Sequence, residues 1–290
     1  MHPWILATRP KTLPAAIIPV LLGCALAWKA GAFQWLPASL CFAFALLVQI
    51  GTNFANDYYD FIKGADTPDR IGPFRATASG EIQPLVIKRA MWITFVIAAC
   101  LGLGLIPYGG WALLIVGFLS IICGFAYTGG PYPLGYHGWG DLLVFIFFGV
   151  IAVVFTNYVQ TGQFTLEAFI VSLVAGSLTT NILVVNNYRD RETDARAGKN
   201  TLAVRFGRNF SLYEYQVLFF IALLSTLFLW RLERELWLVL PVIIWPSSLW
   251  LRYRLAKSRT GSEYNNLLAY TAVFLLIYGL LLTFGIVLIA

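Results

Sequence analysis

The sequence predicts an all-α polytopic membrane protein. About nine transmembrane helices should form a bundle around a central cavity, with the N-terminus in the cytoplasm. Three observations lead there. Of 290 residues, 59% are hydrophobic and 12% charged, and the mean hydropathy is +0.74. A soluble domain carries roughly 25% charged residues. Nine apolar runs approach the ~20 residues a helix needs to cross hydrocarbon. Lys and Arg also fall unevenly on alternate sides of those runs, which sets orientation in a membrane.

The runs lie at 13–28, 36–55, 89–106, 110–127, 141–158, 165–187, 212–230, 236–252 and 267–290. The first holds Leu21-Leu22-Gly23-Cys24, which loosely resembles a lipoprotein signal. With eight runs after it, we read it as an ordinary first span with no targeting segment to remove. One set of alternate loops carries Arg9, Lys11, Lys63, Arg70, Arg75, Lys88, Arg89, Arg189, Arg191, Arg196, Lys199, Arg205, Arg208, Arg252, Arg254, Lys257 and Arg259. The other carries Lys29, Arg231 and Arg234. The bias puts the N-terminus in the cytoplasm and, with nine spans, the C-terminus outside. It also explains the net charge of +6 without nucleic acid. Cys24, Cys41, Cys100 and Cys123 all lie in apolar runs, with no CxxC pair, and read as small packing residues. No linker divides the chain, so residues 1–290 read as one domain.

Two acidic segments break the apolar pattern, each where a long run meets a polar loop. The first is Asn53-Phe-Ala-Asn56-Asp57-Tyr-Tyr-Asp60, continuing to Lys63, Gly64 and Asp66. The second is Asn186-Asn187-Tyr188-Arg189-Asp190-Arg191-Glu192-Thr193-Asp194, continuing to Gly198 and Lys199. Carboxylates beside a membrane core are expensive and mark function. Residues i and i+4 share a helix face. Asn186, Asp190 and Asp194 therefore form a stripe two turns long, and Asn56 and Asp60 form a one-turn stripe with Asp57 about 100° away. The next position of the first stripe is Gly64. The helix should end there, leaving Asp66 to reach the site from a loop. Both segments fall on the side predicted to be cytoplasmic, and together they read as a weak internal repeat with a site between the copies.

Magnesium takes hard oxygen ligands, often one or two carboxylates plus phosphate oxygens. Facing stripes suit two or three such ions around one diphosphate. Lys63, Arg70, Arg75, Arg189 and Lys199 are placed to bind the remaining oxygens. The loop from Tyr127 to Asp141 has no Lys or Arg, three tyrosines, five glycines and two prolines. It is an irregular turn, and either interfacial packing or a pocket wall accounts for its aromatics. Asp141 reads as a helix N-cap or a site residue. Ser79 and Thr201 read as phosphate donors or turn caps.

The pattern resembles the UbiA superfamily of intramembrane prenyltransferases, across essentially the whole chain. Asn56 and Asp60 match that family's Asn-x-x-x-Asp-x-x-x-Asp motif, with Gly64 at its third position and Asp66 as the displaced substitute. Asp190 and Asp194 match its Asp-x-x-x-Asp motif in full. Four segments resemble the 1,4-dihydroxy-2-naphthoate polyprenyltransferases of the menaquinone and phylloquinone branch. They are Trp4-Ile-Leu-Ala-Thr-Arg9-Pro10-Lys11-Thr12, Asn56-Asp57-Tyr-Tyr-Asp60, Gly135-Tyr136-His137-Gly-Trp139-Gly-Asp141 and Asn186-Asn-Tyr-Arg-Asp190.

The resemblance implies a magnesium-dependent enzyme that moves a polyprenyl or phytyl group from its diphosphate to an aromatic acceptor, with loss of carbon dioxide. It implies metal held by Asp60, Asp66, Asp190 and Asp194, with Asp57 as a further candidate ligand, and Asn56 and Asn186 beside them. Lys63, Arg75, Arg189 and Lys199 would share the diphosphate charge. Tyr58, Tyr127 and Tyr188 would face an allylic cation. Arg9 and Lys11 would take the acceptor carboxylate or else anchor the N-terminus, and His137 would accept a proton or serve structure. The expected partners are the two substrates and the bilayer, with no nucleic acid and no obligate protein partner. The expected location is a bacterial-type inner membrane. Homogentisate, 4-hydroxybenzoate and haem stand as alternative acceptors. A cation or proton transporter would put its carboxylates near the bilayer midplane, and a non-catalytic lipid binder would show degraded motifs.

Overall fold

Prolines and threonines set the helix starts in a computed structural model that describes residues 2–66, 72 and 75–290. Proline opens α1 (Pro3–Ala7), α2 (Pro14–Lys29) and α4 (Pro84–Leu103), where its missing N–H has no helical partner to lose. Between α1 and α2 lies a 3₁₀ turn, Pro10–Thr12. The axis bends by 52° between Pro3–Thr12 and Pro14–Lys29. Arg9, between α1 and the 3₁₀ turn, has φ +53°, a left-handed conformation unusual for a side chain of its size. α3 (Trp35–Ile62) carries the first acidic segment on its last turns.

α5 (Ile106–Gly109) and α6 (Ala112–Ala126) follow α4. A 3₁₀ turn, Leu134–His137, precedes α7 (Gly140–Val144). α7 runs through a π-helical turn, Phe145–Ile151, into α8 (Ala152–Thr161). Glycine makes that segment possible. A Cβ on Gly149 would lie 2.6 Å from the Ser172 carbonyl oxygen and 2.7 Å from the Gly176 Cα. Small residues let membrane helices approach this closely.

α9 (Leu166–Arg196) is the central helix, with 83% of its apolar window buried. Thr165 caps it by accepting from the Ala168 N–H. α10 (Leu202–Glu233) lies against it, capped by Thr201 and kinked at Gly207 (φ 83°, ψ 176°). A 3₁₀ stretch, Leu236–Ile244, and α11 (Ser247–Lys257) lead to α12 (Gly261–Val287), which opens with a Thr260/Glu263 capping box. Two hydroxyl pairs join α10 to α12: Tyr215 with Thr271 at 2.7 Å and Thr226 with Tyr278 at 2.9 Å. Lys29 at the end of α2 binds both Glu167 and Glu233, tying three helix ends together.

The fold is all-helical, as expected. Among the described residues, seven helices are long and apolar enough to cross a membrane, or eight if the bent α1–α2 pair is one span. The remaining apolar run, 110–127, corresponds to α6, a shorter helix of 15 residues. α10 begins ten residues before the apolar run at 212, because Thr201 caps it and its first turns are polar.

Candidate active site

Gly64 ends the first stripe. It sits at φ +68°, just after α3 stops at Ile62, a conformation glycine adopts without strain. The chain then turns back and brings Asp66 to Arg75, whose Nε lies 3.4 Å from Asp66 Oδ1. The same guanidinium donates to Asp60 Oδ2 at 2.7 Å. Asp60 Oδ1 accepts from the Tyr136 hydroxyl at 2.8 Å and lies 3.0 Å from Lys199 Nζ. Asp60 is 2% exposed, and this buried carboxylate is held by two cations and a phenol.

Lys199 joins the two motifs. Its Nζ is 3.0 Å from Asp60 and 4.0 Å from Asp194. The unbroken α9 carries Asn186, Asp190 and Asp194 on one stripe, and the turn at Gly198 (φ +73°) returns Lys199 over it. All three stripe residues line one cavity of about 310 Å³, as do Asn56, Asp60, Arg75 and Lys199. Its other end is apolar, walled by Phe44, Leu105, Leu113, Phe147, Phe155 and Val159. Along α3 the lining runs from Asp60 to Cys41. At 1.5 Å per residue that is about 28 Å, close to the thickness of a bilayer core.

The other sequence candidates divide. Arg9 and Tyr127 line the cavity. Arg9 is placed by α3: Asn53 donates to the Thr8 carbonyl at 2.9 Å, and Gln49 reaches Thr12 at 3.5 Å. Lys11 is exposed. Lys63 lies behind the wall, donating to the Thr128 carbonyl at 2.6 Å, while the Thr128 hydroxyl donates to Asn56 at 2.9 Å. Burial lowers the Lys63 pKa; Asp60 opposes that shift and Lys199 adds to it.

Asp57 is turned from the cavity. Its oxygens accept from the Ala76 and Thr77 N–H groups at 3.1 and 3.0 Å, fixing the turn that carries Arg75. Arg189 is fully buried. It clamps Asp190 with two bonds, of 2.7 and 2.6 Å, and also binds Asn186 and Asn265. It thus holds a carboxylate rather than facing the cavity.

Tyr58 packs edge-on to Tyr59 beneath Lys88, and Tyr188 packs between Tyr264 and Arg208. His137 is stacked on Tyr132 with Nδ1 2.9 Å from the Pro133 carbonyl oxygen. None of these three lines the cavity. Asp141 lies within the first turn of α7, whose cap position is Trp139, so it is not an N-cap. Thr201 lines the cavity and also caps α10. Arg70 lies outside the described residues.

Tyr136 and Thr128 join the site without having been singled out from the sequence. Tyr136 is buried and lines the cavity. Burial first, then the charge of Asp60, raises its pKa, so it remains a protonated donor.

The residues fit magnesium of a particular kind. Among the described residues no three His, Cys, Asp or Glu side chains converge into a ready metal cage. Instead Asp60, Asp190 and Asp194 line the head of the cavity with cations between them, and Asp66 lies beside Arg75 without lining it. That arrangement suits an ion held by one or two carboxylates with phosphate oxygens completing its shell.

The UbiA prenyltransferase family profile matches residues 16–278. The chain belongs to the UbiA prenyltransferase family. It is 43% identical over 210 residues to a 1,4-dihydroxy-2-naphthoate octaprenyltransferase of Escherichia coli K12, covering 70% of this chain and 68% of that one. It is 37% identical over 278 residues to the protein of that name from Mycobacterium tuberculosis H37Rv, covering 96% and 94%. A UbiA homolog from Archaeoglobus fulgidus bound to DMAPP and Mg2+ superposes with a TM-score of 0.63 at 14% identity, covering 99% of each chain. This UbiA-family chain thus shares its fold with solved relatives and its sequence with naphthoate prenyltransferases.

Proposed function

We propose that this UbiA-family chain transfers a polyprenyl group from its diphosphate to 1,4-dihydroxy-2-naphthoate, releasing diphosphate and carbon dioxide. The observation that carries the reading is Lys199, held between Asp60 and Asp194 at the head of a cavity with a long apolar arm. The diphosphate belongs at the charged head and the prenyl tail in the arm. Relatives named for this octaprenyl transfer support the acceptor.

Asp60, Asp66, Asp190 and Asp194 would hold magnesium, which neutralises the diphosphate as a leaving group. Lys199 and Arg75, now paired with carboxylates, would share the charge of the phosphate oxygens. The allylic C–O bond breaks with its electron pair on diphosphate. Tyr127 presents a ring to the cation from the cavity wall. The naphthoate carbon bearing the carboxylate forms the new C–C bond. The bond to the carboxylate then breaks, and its pair restores the aromatic ring. No net proton moves, so the step asks for no base at His137. Arg9, which lines the cavity, would receive the acceptor's carboxylate.

The acidic helix ends face the cytoplasm in this reading, as the loop charges direct. They sit at the ends of α3 and α9 rather than mid-span, which favours an enzyme over an ion path. The test is purified protein in lipid with magnesium and a polyprenyl diphosphate, offered dihydroxynaphthoate and 4-hydroxybenzoate in competition. Prenylated, decarboxylated naphthol is expected. Product from the benzoate alone overturns the acceptor; no product from either overturns the enzyme.

A further inference from the structure

We propose that Tyr136 is a positioning residue with two separable roles. Its ring presets Lys199 for the diphosphate beside the charge of Lys63 behind the cavity wall, and its hydroxyl orients the Asp60 carboxylate of the first acidic motif. The proposal rests on reading the cavity as a prenyl-diphosphate site.

Lys63 and Lys199 come from opposite parts of the bundle, one just past α3 and one from the turn after α9. Their ammonium nitrogens lie 4.8 and 4.7 Å from the centre of the Tyr136 ring. Two like charges beside one ring repel unless something holds each of them. Lys63 is held by the Thr128 carbonyl at 2.6 Å, and Lys199 by Asp60 at 3.0 Å. The ring adds an attraction common to both, because its face is electron-rich. Lys63 also lies 5.9 Å from the Tyr59 ring, a longer contact. Lysine stems are flexible, and fixing them before an anion arrives lowers the ordering that binding requires.

The hydroxyl acts elsewhere. It donates to Asp60 Oδ1 at 2.8 Å, while Arg75 holds Oδ2 at 2.7 Å. The carboxylate is therefore gripped at both oxygens and cannot rotate freely. Donors that orient a ligating carboxylate tune its metal affinity without touching the metal.

The backbone of Tyr136 is fixed to the same assembly. Its carbonyl accepts from the Asn200 N–H at 2.8 Å, next to Lys199, and the Gly135 N–H donates to the Tyr127 carbonyl at 2.9 Å. A tyrosine serving only as packing would bury its ring against apolar neighbours. The polar contacts of this one go to charged groups at the head of the cavity.

Two variants separate the roles. Tyr136→Phe keeps the ring and loses the hydroxyl; Tyr136→Leu loses both, with Tyr136→Met in its place should the leucine variant aggregate. The readout is calorimetric binding of inorganic diphosphate to the purified full chain, with and without magnesium, after size-exclusion and thermal unfolding confirm the fold. For Tyr136→Phe, affinity without magnesium should stay within about twofold of the parent, and the enhancement by magnesium should shrink about tenfold. For Tyr136→Leu, affinity should fall about tenfold even without magnesium. Identical behaviour of the two variants, or parental behaviour in both, overturns the proposal. If the parent binds diphosphate but prenylates no acceptor, the functional reading fails while these differences still decide the role of Tyr136. If the parent binds no diphosphate, both fail.

Discussion

Replacing Arg75 with methionine removes the guanidinium that joins Asp60 to Asp66 and leaves a side chain of similar reach. Arg75 bonds Asp60 at 2.7 Å and lies 3.4 Å from Asp66; its side chain is 7% exposed and each carboxylate 2%. Breaking a buried ion pair from one side costs about 3–5 kcal/mol, because the remaining charge is stranded. Asp60 keeps Tyr136 and Lys199, so we place the loss at the lower end, about 3 kcal/mol. For a chain of this size that is a drop on the order of 6 °C in Tm. Magnesium should narrow the gap. An ion at 100 times its dissociation constant adds about 2.7 kcal/mol of stability, and in Arg75→Met it no longer competes with the guanidinium. The assay is thermal unfolding of detergent-purified protein across a magnesium titration, parent beside variant. A Tm gap that stays constant through the titration refutes the claim that these carboxylates bind metal.

Two other outcomes follow from the geometry. Gly149→Ala should destabilise the bundle by roughly 1–3 kcal/mol or more, since its Cβ meets backbone of α9 at 2.6 Å; an unchanged Tm in detergent contradicts the close approach. Lys63 is charged only below its pKa, which burial lowers, so diphosphate capture should weaken as pH rises through that value. In Lys63→Arg the charge persists, and the alkaline limb of kcat/KM should move to higher pH; a limb at the same pH removes Lys63 from the charge balance.

Much of this was legible in the sequence, for physical reasons. The i, i+4 spacing of Asn186, Asp190 and Asp194 translates directly into a stripe on α9. Glycine at position 64 announced the end of the first stripe, and the chain does turn there. Contacts between distant segments were not legible. Asp57 and Asp60 are three residues apart and chemically alike, yet one grips backbone N–H groups and the other faces the cavity. The loop before α7 offered three tyrosines, and only the fold shows that Tyr136 meets Asp60 while Tyr132 stacks on His137. Arg189 looked like a phosphate ligand, but its place on α9 turns it inward onto Asp190 and Asn265. The start of α10 was hidden because its first turns are polar, so hydropathy alone placed it too late.

The central claim is that the two acidic motifs serve one diphosphate site, and a double-mutant cycle on Asp60→Asn and Asp194→Asn tests it most directly. The measured quantity is kcat/KM for prenyl diphosphate. Each single substitution should lower it by about two to three orders of magnitude. Groups that act as a unit give effects far from additive, so the double variant should fall little below the weaker single one. A loss in the double variant equal to the product of the two single losses would place the motifs in independent sites and contradict the account.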